Sequence, residues 1–474
     1  MSSNPDRGFR SVVLARAFGA GVLAALALPA VALAHSLDAT YASRLPLAVY
    51  LGGAALTVAL SFAFVLLRDV GAEVPAERGP GTLPPAWLRF GLRAIGLIGW
   101  GWIVVQGILG GSSDANVATL FMWVYGWVGL ALVSALIGPA WQWLDPFSTL
   151  YDLGASVVRA IGIRPWEIAA YPSRLGRWPA VIGFAFFIWL ELVLLGGGPS
   201  TLFIIVVGYT ALTLALMAQF GRDEWRSQGE TFTVWFRLLG RLAPFALVDE
   251  AGRVRSRSFG SGLLEGGWTL AEVVLVALGV GSILFDGLSQ TQIYFDLFGF
   301  PEAPAQTVLL TAFLGLVVLA ALAVTRLVGA SAAGAGLLPI AAGYLLAHYA
   351  TYLVVDGQLI LVALSDPLQR GTDLFGTAFH EPTSDWLPPG LVWTLQLAAV
   401  VGGHMLGAWG GHAAAALGAP AGSDARALRL RQIPLAIVMV ALTTLTLWSL
   451  GQDLVVTPDE DETAAAAGFV AGGG

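Results

Sequence analysis

Long apolar runs separated by short polar connectors dominate this chain, and no alternating strand pattern interrupts them. About ten runs have bilayer-crossing length: 46–67, 90–110, 118–138, 178–196, 201–220, 268–285, 306–325, 337–355, 390–409 and 434–450. Each holds about 17–22 residues, enough as a helix to cross a hydrocarbon core of about 30 Å. The pattern predicts an all-α, polytopic transmembrane helix bundle over residues 35–451, with about ten spans after an N-terminal signal segment. Two connectors carry apolar residues at helical spacing: Phe147, Leu150, Tyr151, Val157 and Val158 after the Asp145-Pro146 start, and Phe232, Trp235, Phe236, Leu239 and Leu242. Both read as helices lying in the inner interface with the apolar side down, or as partner-docking surfaces.

Composition agrees. The chain is 57% hydrophobic and 12% charged, with a mean hydropathy of +0.76; soluble domains carry about 25% charged residues. All the basic charge is arginine, and it alternates. Connectors 68–89, 159–177, 222–257 and 426–431 are rich in it, while the intervening ones hold almost none apart from Arg44 and Arg370. Positive-inside reasoning puts the arginine connectors in the cytoplasm and both the mature N-terminus and the C-terminus outside the cell membrane. Residues 1–34 read as a signal peptide or signal anchor, with Arg7, Arg10 and Arg16 ahead of an apolar run and Ala32-Leu33-Ala34 as the small-residue cleavage site. Residues 452–474 read as an acidic, low-complexity, disordered tail.

The arginines form no single basic face, so nucleic acid is not an expected partner. The expected partners are the lipid bilayer and further membrane or peripheral subunits. Cysteine is absent, which removes disulfides and thiolate metal sites. No P-loop, HExxH or GxSxG motif is present.

Charged residues inside a bilayer are expensive and mark function by default. Glu191 falls mid-span, His348 near the middle of its span, His404 in the inner half of the ninth, and His412 at that span's cytoplasmic end. Glu272, a turn into the sixth span, reads as snorkelling to the inner interface. Asp286-Gly287 and Asp356-Gly357 end two spans that run in the same direction, so both reach the outer surface. The apolar stretch after Gly357 fits a broken helix or a re-entrant piece, a common ligand site, or a plain helix cap. Glu191, His348, Asp356 and Asp286 therefore make the expected substrate or ion path. His35, which becomes N-terminal on cleavage after Ala34, joins His380, Asp366 and Asp373 as an expected site for copper or another divalent metal. His348 and His404 make an alternative pair for haem b, against an ordinary packing role.

Several stretches resemble a family of bacterial multi-pass membrane proteins described as fenitrothion hydrolase-like. They are residues 171–180 (YPSRLGRWPA), 285–289 (FDGLS), His348-Tyr349 through Asp356-Gly357-Gln358, Ser365-Asp366-Pro367, 371–377 (GTDLFGT), Gly403-His404 and Ala34-His35. The resemblance covers most of the chain and implies hydrolysis of an organophosphate triester by a membrane system of more than one component. Such chemistry wants a metal-activated water, which the outer His/Asp set alone offers. The residues thus leave open a transporter or metal-handling permease, favoured for its intramembrane Glu/His site, a membrane-embedded metal-dependent hydrolase, a haem-bearing redox subunit, and a scaffold.

Overall fold

The computed structural model describes residues 79–111, 116–162, 168–194, 199–420 and 424–450. The signal segment, the first expected span (46–67) and the acidic tail lie outside them. Helices α1 (Ala86–Leu109), α2 (Val117–Leu136), α3 (Pro146–Ala160), α4 (Trp178–Leu192), α5 (Pro199–Phe220), α6 (Arg222–Gln228) and α7 (Thr231–Leu239) occupy the first half. They are followed by a two-stranded hairpin, β1 (Phe245–Leu247) against β2 (Val254–Ser256), and by α8 (Leu270–Ser289), α9 (Ala303–Val328), α10 (Ala330–Val355), α11 (Leu359–Ser365), α12 (Pro389–Gly418) and α13 (Ala425–Leu450). Among the described residues eight helices are apolar and long enough to cross a bilayer, and α4 is a shorter apolar one. The chain is an integral membrane protein by length and composition of these helices, and the remaining nine expected spans each coincide with one of them.

The helices run longer than the apolar runs because small and polar residues continue them into the connectors. Two consequences follow. The sixth span does not end at Phe285; α8 continues to Ser289, so Asp286 belongs to the helix and not to a surface loop. The fourth span is shorter than the sequence suggests: α4 stops at Leu192, and its 15 residues reach about 22 Å. Glu191 therefore sits in the last turn of α4, not at its centre.

Helix α8 is the axis of the bundle. Every residue from Ala271 to Phe285 is buried, as expected of a helix that is apolar all round. Beside it, α10 and α12 meet backbone to backbone. A Cβ on Gly403 would lie 2.5 Å from the Pro339 carbonyl oxygen, and one on Gly343 would lie 2.5 Å from that of Ala399. Small residues permit this approach, which dispersion and close packing reward where lipid supplies no hydrophobic drive. Gly403-x-x-x-Gly407 serves this packing, with Gly407 against Gly336.

The arginine connectors fold into a cap over one end. Thr82 pairs with β2, Gly138 packs on Phe245, and ion pairs tie the layers. Buried Arg226 meets buried Asp145 at 3.1 Å, and Arg237 meets Glu250 at 2.5 Å. Glu272 does not snorkel. It is buried, completes a capping box with Thr269, and pairs with Arg177 and with Arg241 at 3.2 Å. Asp145 caps α3 through the N–H groups of Phe147 and Ser148, as its sequence position suggests. Glu230 caps α7 in the same way; burial, reinforced by the charge of Asp145, raises its carboxyl pKa.

α7 departs from the expected interfacial helix. Seven of its residues are buried, and Trp235 is wedged 4.7 Å from the Phe184 ring and 6.2 Å from the Trp127 ring. Its aromatic face finds aromatic partners inside the bundle, which bury it better than a lipid boundary would. α3 buries only its first turn and leaves Leu153 and Val157 exposed.

Replacing Gly403 with valine inserts a side chain where the α10 carbonyl stands. The expected result is a loss of at least 1–3 kcal/mol, roughly the cost of overpacking, read as a lowered melting temperature in detergent. An unchanged melting point contradicts the close approach.

Candidate functional site

Three helices bring acidic, basic and hydroxyl groups together in the half of the bundle away from the arginine cap. Asp286 of α8 faces His348 and Tyr349 of α10. The His348 Nε2 lies 2.9 Å from Asp286 Oδ2, and the Tyr349 hydroxyl donates to the same oxygen at 2.7 Å. Gln290, one turn on, donates to Oδ1 at 2.9 Å. Adjacent residues on α10 share one carboxylate because the His348 and Tyr349 rings meet edge to face, 4.6 Å apart. Gly287 lies beside the imidazole: a Cβ there would stand in ordinary contact with His348 Cε1, at 3.7 Å.

Glu191 comes to this cluster from the end of α4. Its carboxylate lies beside the Tyr349 hydroxyl and the Trp127 indole, within electrostatic range of Asp286. Its Oε2 is buried without a hydrogen-bond partner, and so is the Trp127 Nε1. A buried polar atom left unbonded costs about 1–3 kcal/mol, and the Trp127 indole beside the carboxyl is the donor placed to satisfy it. Tyr352, a turn further along α10, senses the charges of Asp356, Glu191 and Asp286. Asp356 itself stands apart, in a short 3-10 turn, Asp356–Gln358, where α10 gives way to α11. The Tyr125 hydroxyl holds the Gly357 carbonyl at 2.6 Å and so fixes that break.

Three of the four expected path residues, Glu191, Asp286 and His348, are thus assembled, and Asp356 lies towards the mouth. Sequence reasoning missed Tyr349, Trp127 and Tyr125. Tyrosine and tryptophan in a span ordinarily read as interface anchors. The last two belong to a ten-residue π-helical stretch, Leu120–Gly129, within α2. Such segments widen the turn and occur often at functional sites, but no composition cue announces them.

The expected metal set is not assembled by the described residues. Asp366 binds the backbone N–H groups of Arg370 and Gly371 and the Thr372 hydroxyl; these bonds outweigh its desolvation and lower its pKa. Bonds from the Ala378 N–H and the Ser365 hydroxyl lower that of Asp373. Both carboxylates staple the 366–388 loop, and Arg370 ties that loop to the Leu109 carbonyl at 2.5 Å. His380 lies 3.1 Å from Gln358 Oε1. Among the described residues no three His, Asp or Glu side chains gather to hold a metal ion, and His35 lies outside them.

Haem b does not fit between His348 and His404. Their helices touch at the backbone between Gly343 and Gly403, which leaves no slot for a macrocycle. The two rings also turn to different partners. His348 faces Asp286 on α8, whereas His404 hydrogen-bonds the Thr443 hydroxyl on α13.

Asp286 and Glu191 should respond oppositely to neutralisation. Asp286→Asn weakens the bonds from His348 and Tyr349 and is expected to lower stability by about 1–3 kcal/mol. Glu191→Gln keeps the shape of a wholly buried carboxyl and is expected to leave stability unchanged or raised. Thermal denaturation in detergent measures both, and a large loss in Glu191→Gln contradicts the assignment.

Compared with known proteins, the chain matches no family model, no curated protein and no solved structure.

Proposed function

We propose that this integral membrane protein is a proton-coupled transporter, with Glu191, Asp286, His348 and Tyr349 as its proton-handling site. The observation that carries the reading is the shared Asp286 oxygen, bonded by His348 and Tyr349 beside a carboxylate with an unbonded oxygen. Carboxylate, imidazole and phenol in contact can pass a proton: His348 donates to ionised Asp286, or accepts from it once it is protonated. Relays of this composition are the customary use of intramembrane Asp, Glu and His. The broken end of α10 supports an outer mouth, since irregular backbone at membrane depth serves where it lines a cavity or ligand site. By the positive-inside rule the arginine cap faces the cytoplasm of a bacterial-type cell membrane, and the cluster sits in the outer half.

The hydrolase that the family resemblance implies would need a metal-activated water, and the outer loop carboxylates are engaged in loop hydrogen bonds. That favours transport over hydrolysis.

Purified protein in liposomes containing a pH-sensitive dye tests the proposal. Under an imposed membrane potential, proton entry is expected well above that of empty liposomes. Glu191→Gln and Asp286→Asn should each lower it at least tenfold, while Asp296→Asn, at the surface, should not. Proton entry equal to that of empty liposomes, or unaffected by the two site variants, overturns the reading.

A further inference from the structure

We infer that the proton route does not stop at the outer cluster but continues inward along α13, and opens at the arginine end through a cavity between α10, α12 and α13. The inference rests on the proton-coupled reading and assigns it a second half.

Helix α13 carries a stripe of buried hydroxyls at three-residue spacing, Thr443, Thr446 and Ser449. Thr446 and Ser449 donate to the Leu442 and Thr446 carbonyls of α13 itself, while Thr443 is tied to neighbouring helices. A Cβ on Gly287 would lie 3.4 Å from the Ser449 hydroxyl and 3.7 Å from His348 Cε1, so the stripe's outer end stands beside the cluster. At the inner end Thr443 bonds His404 Nδ1 and receives the Tyr344 hydroxyl at 3.2 Å. Tyr344 also lies beside Thr446. The groups therefore run in sequence from Asp286 and His348 through Ser449, Thr446 and Tyr344 to Thr443 and His404. All lie inside the bundle, and the two hydroxyls that donate to α13 carbonyls keep their lone pairs for a neighbouring donor.

Two turns further in, His412 Nδ1 lies 2.7 Å from Gln432 Oε1, and both residues are buried. The Gln432 Nε2 has no partner. Gln432 lines a cavity of about 380 Å³ at the arginine end, formed by the α9–α10 turn, the end of α12 and the start of α13. Ala415, Leu428 and Arg431 stand on its walls. This is the inner vestibule.

Between vestibule and stripe the route is dry. Leu435 and Met439 are fully buried and lie against Gly336, Gly407 and Gly411. His404 and His412, eight residues apart, are separated by about 12 Å along α12, too far for a direct proton transfer. The apolar block is the closed barrier of this conformation. Outside it, a proton moves by binding to the lone pair of one hydroxyl or imidazole while that group releases its own proton to the next; nothing is oxidised or reduced.

The chain holds no cysteine, so single cysteines report access without background. Ala415→Cys and Leu428→Cys are expected to react with a membrane-impermeant methanethiosulfonate applied at the arginine end. The modified protein should conduct protons at least fivefold more slowly than the same variant unmodified. Thr443→Val, which keeps shape and removes the hydroxyl, should lower proton entry at least tenfold, and Thr443→Ser should retain it; size-exclusion profiles confirm that both fold. Proton entry that depends on Asp286 yet ignores Thr443→Val and vestibule modification overturns the inward route and leaves the outer site standing. Absence of proton entry in the unaltered protein overturns both.

Discussion

Hydrocarbon neither donates nor accepts hydrogen bonds, and this constraint governs where every polar atom of the chain can stand. The arginine end meets it by pairing. Glu272, Glu230, Asp145 and Arg226 are buried there, yet each is bonded or ion-paired: Glu272 to two arginines and its own cap, Glu230 to the first turn of α7, Arg226 to Asp145. A buried pair of this kind adds little net stability, but removing one partner leaves an uncompensated charge. The cap is thus a mutually dependent set that fixes how α4, α7 and α8 enter the bundle. Against that background the outer cluster is the exception, since it gathers two carboxyls, an imidazole and a phenol with no arginine among them.

Packing explains how the exception is maintained. The α10–α12 contact runs through glycines, so α10 cannot slide without displacing α12, and the α10 face carrying His348 and Tyr349 is held towards α8. On the other flank, Trp127 is gripped by Phe184, Phe187 and Trp235. Trp235 arrives on α7, which belongs to the arginine cap. The cap and the site are therefore joined by one aromatic stack. Because packed cores rearrange between discrete states and do not deform continuously, a shift of α7 would be felt at the Glu191 carboxylate.

Much of this was legible along the chain, and the parts that were not have physical reasons. Apolar run length located nine spans, because nothing but helix survives in lipid over that distance. The same criterion misplaced Asp286 and Glu191: hydropathy marks where apolar residues stop, while a helix stops where its hydrogen bonds do. Asp286 continues α8 and turns inward; Glu191 closes a helix that ends early. Asp356 stands apart from the cluster, in the 3-10 turn that ends α10. The outer His/Asp metal set was a composition argument. Asp366 and Asp373 spend their lone pairs on backbone N–H groups, as carboxylates in a 20-residue loop commonly do. The π-helical turn and the burial of α7 depend on partners distant in sequence, which no periodicity encodes.

Dry segments and hydroxyl seams have complementary uses in one helix. α13 alternates them: Gln432 at its inner end, Leu435 and Met439 next, then Thr443, Thr446 and Ser449. A wholly polar face would have required partners along its full length and would conduct without control. A wholly apolar face would pack more firmly and conduct nothing. Glycines on α10 and α12 face the apolar block, so Leu435 and Met439 are seated by backbone and not by interlocking side chains. The seam beyond that seat is tied to α10 and α12 through Tyr344 and His404, so a rotation of α13 moves barrier and seam together. The arrangement ties the transport reading to a physical requirement: the barrier must be the least hydrogen-bonded part of the route, and in this bundle it is.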